Sequence, residues 1–210
     1  MRRESSAEHA RSPYHHGDLR AALLDATDRL ARAAGLETVT LRAVAREAGV
    51  SHAAPAHHFR DKRALFAAYA AQGWDRMGAV ILDSLAREAP RGPRETLSAV
   101  GRAYLVFART DPARFQAMFR RDLYDPKDPG VRAAGEATWR FLEDTIASAH
   151  PGEDRAELRR ALTAMAWSAA HGFAALEASG RLRAQLPGAS EAGVGEAMID
   201  RLAELMLPED

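Results

Sequence analysis

A series of sharp breaks constrains this chain more than any other feature. Gly35, Gly49, the run Pro90-Arg91-Gly92-Pro93, Asp111-Pro112, Asp125-Pro126 through Asp128-Pro129, Pro151-Gly152 and Pro187-Gly188 cut it into segments. Proline fixes φ and has no N–H to donate, while glycine enters positive φ without strain, so these residues stop helices and mark loops. Between the breaks Ala, Leu and Arg dominate, and apolar residues return every three or four positions. No alternating stretch of useful length argues for a sheet. The expected fold class is all-α, with about nine helices.

The breaks place the helices. Residues 1–12 are polar and carry no period, which predicts a disordered arm. Asp18 is placed to cap a first helix whose apolar face runs Leu19, Leu23, Ala26, Leu30 and Ala33 or Ala34, with Gly35 closing it as a left-handed cap. Thr40 caps a short second helix through Leu41, Val44, Ala45 and Ala48, closed by Gly49. Ser51 caps a third, reaching about Phe59, and Asp61 a long fourth through Leu65, Phe66, Tyr69, Trp74, Met77, Ile81 and Leu82. Helical patterns then cover about 94–109, 112–120, 129–149, 153–179 and 190–206.

Composition narrows the class of function. The 210 residues suit a small domain plus a larger one, and 47% hydrophobic residues suffice for a core. The absence of cysteine excludes disulfides and thiolate metal sites. Arg2-Arg3 is followed by no apolar run, so no secretory leader is expected. No stretch approaches the roughly 18 apolar residues of a membrane span, and a cytoplasmic location is expected. The net charge of zero divides unevenly: residues 1–63 hold 11 basic and 8 acidic side chains, the rest 18 and 21. Six of the eight histidines also lie in the first part. A mildly basic head on a mildly acidic body suits a head that meets a polyanion.

The stretch Thr40–Phe59 carries the most specific signal. Two short helical segments are joined by Gly49-Val50-Ser51. Gly49 permits positive φ at the turn, Val50 is an apolar plug between the helices, and Ala45 and Ala48 are small where the helices approach. These are the requirements of a helix-turn-helix, whose second helix enters the DNA major groove. The alternative is two amphipathic helices packed in a core. The third segment offers small residues and imidazoles, and Lys62 stands just inside the next helix, within reach of a phosphate.

Residues 14–70 resemble the DNA-binding domain of the TetR/AcrR family of regulators. The matching residues are Ala34-Gly35-Leu36, Thr40-Leu41-Arg42, Val44-Ala45, Ala48-Gly49-Val50-Ser51, His58-Phe59, Lys62 and Leu65. The opening Tyr14-His15-His16-Gly17-Asp18-Leu19 and the run Ser51–Pro55 are similar to one subgroup. Trp167-Ser168-Ala169-Ala170-His171-Gly172 resembles the signature of its WHG-type effector domain, and Asp111-Pro112 through Phe115-Gln116-Ala117-Met118-Phe119 is similar to that group too. The resemblance implies that Arg42, His52, Ala53 and His57 face DNA bases and that Thr40, Ser51, His58 and Lys62 contact phosphates. One departure stands out: Ala56 occupies a position where the family usually has a phosphate-contacting tyrosine.

The resemblance further implies an arm at 1–12, a DNA-binding domain at 13–63 and an effector-binding and dimerisation domain at 64–210. It implies a homodimer on a near-palindromic double-stranded DNA operator, built on the last two helices, with Ala170, Ala174, Val194, Met198, Leu202 and Leu205 at the interface. It implies a pocket for a small apolar or aromatic effector that releases a repressor. Candidate lining residues are Phe107, Phe115, Met118, Trp139, Met165, Trp167 and His171, though aromatics and methionines at helical spacing are more often simply core. No cofactor is expected. Nucleophile-elbow, phosphate-loop and HExxH motifs are absent from the sequence, which argues against an enzyme. A metal-responsive regulator drawing on His15-His16 or His57-His58, or a helical interaction module without DNA binding, are the remaining alternatives.

Overall fold

The computed structural model describes residues 16–207. The arm expected at 1–12 lies outside these residues. Among them are nine α-helices and no strand, as the segmentation predicts. In chain order the helices are α1 (His16–Ala34), α2 (Leu41–Glu47), α3 (Lys62–Glu88), α4 (Pro93–Thr110), α5 (Pro112–Phe119), α6 (Pro129–Ala149), α7 (Ala156–Ala178), α8 (Arg181–Gln185) and α9 (Glu191–Met206). Pro93, Pro112 and Pro129 each stand at the first helical position, where the missing N–H costs nothing. Thr40 and Asp61 cap as predicted: Ala43 N donates to Thr40 Oγ1 at 3.1 Å and Ala64 N to Asp61 Oδ1 at 2.8 Å. No described helix is long and apolar enough to cross a membrane.

Four details differ from the sequence expectation. α1 begins at His16, two residues before Asp18. Gly35 does take positive φ, at 86°, but its ψ of 160° is extended rather than left-handed helical. Ala33 and Ala34 are exposed, and Ala31 turns inward instead. The long segment at 153–179 opens with a 3-10 turn (Glu153–Arg155), and the short α8 follows it.

Three buried clusters hold the molecule. The first joins α1 and α2 to the first half of α3, through Leu23, Leu24, Val44, Leu65, Phe66 and Tyr69, and takes in Ala113 and Ala117 of α5. The second joins the rest of α3 to α4, α5, α7 and α9, around Met77, Leu105, Phe107, Phe115, Phe173 and Ile199. The third closes the far end with Leu97, Ile146, Ala166, Ala203 and Met206. α3 is therefore one rigid rod shared by the head and the body, and it crosses the boundary expected at residue 63.

Candidate nucleic-acid interface and effector cavity

The head exposes a turn bounded by α2 and α3. Gly49 has φ 69°, which a Cβ would resist, and Val50 N closes the turn on Ala45 O at 3.0 Å. Val50 packs half-buried against the first cluster, the plug the sequence predicts. The third segment, however, is not an α-helix. Its helical part is a 3-10 turn, Ala54–His57, capped by Ala53 rather than Ser51 and without a side-chain hydrogen bond. Pro55 is the physical reason. It has no N–H to give the carbonyl of Ser51, which accepts from Ala54 N at 3.0 Å instead. Buried Pro55 then anchors the far end, its carbonyl accepting from both His58 and Phe59.

On this frame Arg42, His52, Ala53, Ala56 and His57 are exposed, as are Thr40 and Ser51. His58 and Lys62 are half-buried; the Lys62 ammonium lies 5.4 Å from the Phe66 ring centre and His58 lies beside Phe59. Arg42 makes no ion pair among the described residues, so its guanidinium is free for a partner. Arg46, one turn along α2, is equally exposed. The helical period of α2 would have pointed to it.

Behind the head sits a buried ionic node that sequence reasoning missed. Arg114 of α5 is 1% exposed. Its guanidinium lies 2.8 Å from Asp28 of α1 and 3.1 Å from Asp111, donates to Gln72, and stacks 5.0 Å from the Tyr69 ring centre. Arg32 of α1 reaches the same Asp111 at 2.7 Å, and Tyr69 O–H donates to Asp28 at 2.7 Å. Burial pushes the Asp28 carboxyl up, but hydrogen bonds from Tyr69 and Arg32 and the Arg114 charge outweigh it and hold it below the usual carboxylate range. Burial and the bond to Asp28 push the Tyr69 phenol up. The node thus ties the head's first helix to α3 and to the first turn of α5.

α5 turns from this node to a cavity of about 560 Å³, lined by residues of α3, α4, α5, α6, α7 and α9. Its lining is overwhelmingly apolar, with an aromatic wall of Trp74, Tyr104, Phe119, Trp139 and Trp167. The rings meet edge-on: Trp74 and Phe119 at 5.4 Å and 71°, Trp139 and Trp167 at 5.8 Å and 89°. Of the seven residues singled out from sequence, Met118, Trp139 and Trp167 line this cavity. Phe107 and Phe115 are buried in the second cluster, and Met165 points to solvent at 44% exposure. His171 stands just behind the wall, 4.3 Å from the Phe119 ring centre, with its Nδ1 2.9 Å from the Tyr104 oxygen.

Burial lowers the His171 pKa, so the ring is held neutral. With the ring proton on Nε2, Tyr104 O–H donates to Nδ1. A His whose folded value lies below its unfolded 6.5 destabilises the fold as it protonates. Stability contributed by this ring is present above about pH 6.5 and is lost as pH falls from there through the lower folded value. Melting temperatures across that window are expected to fall more for wild type than for His171→Gln.

The expected dimer stripe is only partly available. Ala170 and Ala174 are 6% and 1% exposed and pack in the second cluster, so neither has surface left for a partner. The stripe of α7 that does face out lies one position aside: Leu158, Ala161, Met165, Ser168, Ala175 and Leu176. On α9, Val194, Met198 and Leu202 are half-buried and Leu205 is 69% exposed. Helical spacing alone cannot distinguish neighbouring faces of a helix this rich in alanine. Among the described residues no cluster of His, Asp and Glu has the makings of a metal site.

Residues 23–69 match the family of bacterial regulatory proteins called tetR, and residues 97–202 match the tetracyclin repressor-like C-terminal domain. No curated protein matches the sequence. Among solved structures, a protein of unknown function from Rhodococcus sp. RHA1 is 30% identical with a TM-score of 0.78, covering 94% of this chain and 100% of its own. A regulatory protein in the tetR family from Rhodococcus RHA1 is 15% identical with a TM-score of 0.66, covering 91% and 98%. A TetR-family transcription regulator from Marinobacter aquaeolei VT8 is 19% identical with a TM-score of 0.62, covering 88% and 94%. The last two agree in fold, whereas the two family matches fall on the exposed turn and on the helices around the cavity. The chain belongs to the TetR family and is a DNA-binding transcription regulator, not an enzyme.

Proposed function

We propose that the protein is a homodimeric cytoplasmic repressor whose grip on a near-palindromic operator is released by a small, mostly apolar effector in the aromatic cavity. The head is assigned to residues 13–63 and the effector and dimer functions to 64–210. In this reading Arg42, His52, Ala53 and His57 face base edges, and Thr40, Ser51, His58 and Lys62 touch phosphates. The WHG-type assignment of the body is supported by Trp167 and His171 meeting at Tyr104 and Phe119.

The observation that carries the reading is the course of α3. It leaves the head at Lys62 and lines the cavity from Trp74 to Leu82. α5 provides a parallel route, with Met118 and Phe119 in the cavity wall and Arg114 in the node on α1. A ligand biases the head only as far as it binds the two conformations unequally. One that spreads α3 from α6, or turns α5, has leverage on both contacts to the head.

The outward face of α7, with Leu205 and the half-exposed side of α9, is the proposed dimer surface. Such a dimer places two heads on sites roughly 35 Å apart. A cation in the middle of this face tests the assignment. Met165→Arg is expected to sediment as a monomer with unchanged helical content, and to lose at least about a hundredfold in operator affinity as bivalency is lost. A Met165→Arg protein that remains a dimer and binds as before refutes this interface.

A further inference from the structure

The charged lining of the cavity is confined to one stretch of chain. Of the lining residues only Arg121, Arg132 and Glu136 carry charge at neutral pH, and all three lie between the end of α5 and the second turn of α6. Glu136 is already engaged, lying 3.0 Å from Arg132 and 3.4 Å from Arg140. Arg121 makes no ion pair among the described residues, and the carboxylate next to it, Asp122, is held by Arg120. The lining of the cavity therefore carries two guanidiniums, both on exposed side chains, against a single carboxylate that pairs with Arg132.

The remaining polar groups point the same way. Tyr104 is held neutral by burial, and its hydroxyl lies 2.9 Å from His171 Nδ1. The Trp74 and Trp139 indoles have N–H groups to donate and no hydrogen-bond partner among the described residues. The lining thus offers donors and positive charge, with no spare anionic acceptor. Aromatic faces do attract cations, but the lining carries one more guanidinium than carboxylate, and Arg121 has no ion-pair partner among the described residues. An anion gains charge-assisted hydrogen bonds to planar forks suited to carboxylate or sulfonate geometry.

We infer that the ligand of this cavity is an amphipathic anion, a flat aromatic body among the tryptophans with its acidic head against Arg121 and Arg132. This rests on the reading of the cavity as the effector site, and it narrows the effector from any apolar molecule to an aromatic acid. A body of two or three rings suits a cavity of about 560 Å³.

Two fluorescent probes with one body separate the possibilities: anilinonaphthalene sulfonate, and the uncharged phenylnaphthylamine. Both are titrated into the full-length protein at fixed ionic strength. The sulfonate is expected to bind about tenfold tighter than the neutral probe, the scale of one net charge-assisted hydrogen bond. Arg121→Gln combined with Arg132→Gln removes that advantage and leaves the neutral probe within about twofold. Gly135→Leu localises the binding: a Cβ there lies 3.6 Å from the Trp74 ring, an ordinary contact, and the side chain beyond it occupies cavity space. It weakens both probes.

Equal affinities, or a double variant that weakens both probes alike, overturn the anionic assignment and leave the effector-site reading standing. Binding of both probes that survives Gly135→Leu overturns the two together.

Discussion

Replacing Arg114 with alanine is expected to destabilise the protein by about 3–5 kcal/mol, the cost of removing one partner from a buried ionic cluster. Asp28 and Asp111 share two cations, Arg114 and the more exposed Arg32, and would lose the buried one; Asp111 is only 6% exposed. The stacking contact on Tyr69 and the hydrogen bonds to Gln72 go with it. In urea the midpoint should fall by about 1 M or more. Arg87→Ala is the matched control: its pair with Asp83 lies on an exposed helix face, both side chains about two-thirds exposed, and its loss costs less than about 1 kcal/mol. The two variants remove the same residue type and differ in burial. Equal, small effects would mean that the node contributes no more than a surface pair. Because the Asp28 carboxyl sits below the usual range in the fold, the node's contribution is present at neutral pH and is lost as acid protonates Asp28 through its lowered value.

Arg42→Ala is the corresponding change for DNA. Arg42 is exposed on α2 and makes no ion pair among the described residues, beside the turn that bears His52 and His57. A guanidinium that bridges a base edge is worth about 1–3 kcal/mol of discrimination. Affinity should fall roughly five- to a hundredfold for each half-site, the two losses multiplying across the dimer, with preference relaxed at one position of each half-site. Lys62→Ala should behave differently, weakening all sequences alike and lowering the salt slope by about one per head. Competition assays with single-base operator variants distinguish the two. An Arg42→Ala protein that keeps full preference at every position would move base reading elsewhere, with exposed Arg46 the next residue to test.

The contrast between these residues shows what the sequence made legible. Helix limits were readable because proline and glycine act locally: Pro93, Pro112 and Pro129 begin helices whatever packs against them. Gly49 and Val50 were readable because a tight turn between two helices demands those residue types. The third segment was not, since Ser51 has the residue type of a helix cap, whereas Pro55 four residues on has no N–H to give the Ser51 carbonyl and the segment forms a 3-10 turn. The Arg114 node was hidden for a different reason. An arginine at helical spacing is ordinarily solvated, and nothing local announces that α1 brings Asp28 and Arg32 against it. The cavity was half legible: Met118, Trp139 and Trp167 line it, while Phe107 and Phe115 share their chemistry and fill core. The face of α7 turned on a single position, Ala170 and Ala174 facing in and Met165 facing out.

These assignments meet in one claim, that the exposed turn between α2 and α3 reads DNA as half of a symmetric pair. The most direct measurement is selection from random duplex DNA by the purified protein, followed by sequencing of the bound fraction at two salt concentrations. The account predicts an enriched near-palindrome with half-sites about one helical turn apart, and enrichment that declines steeply as salt rises. A folded dimer that enriches no sequence at either salt concentration would contradict it.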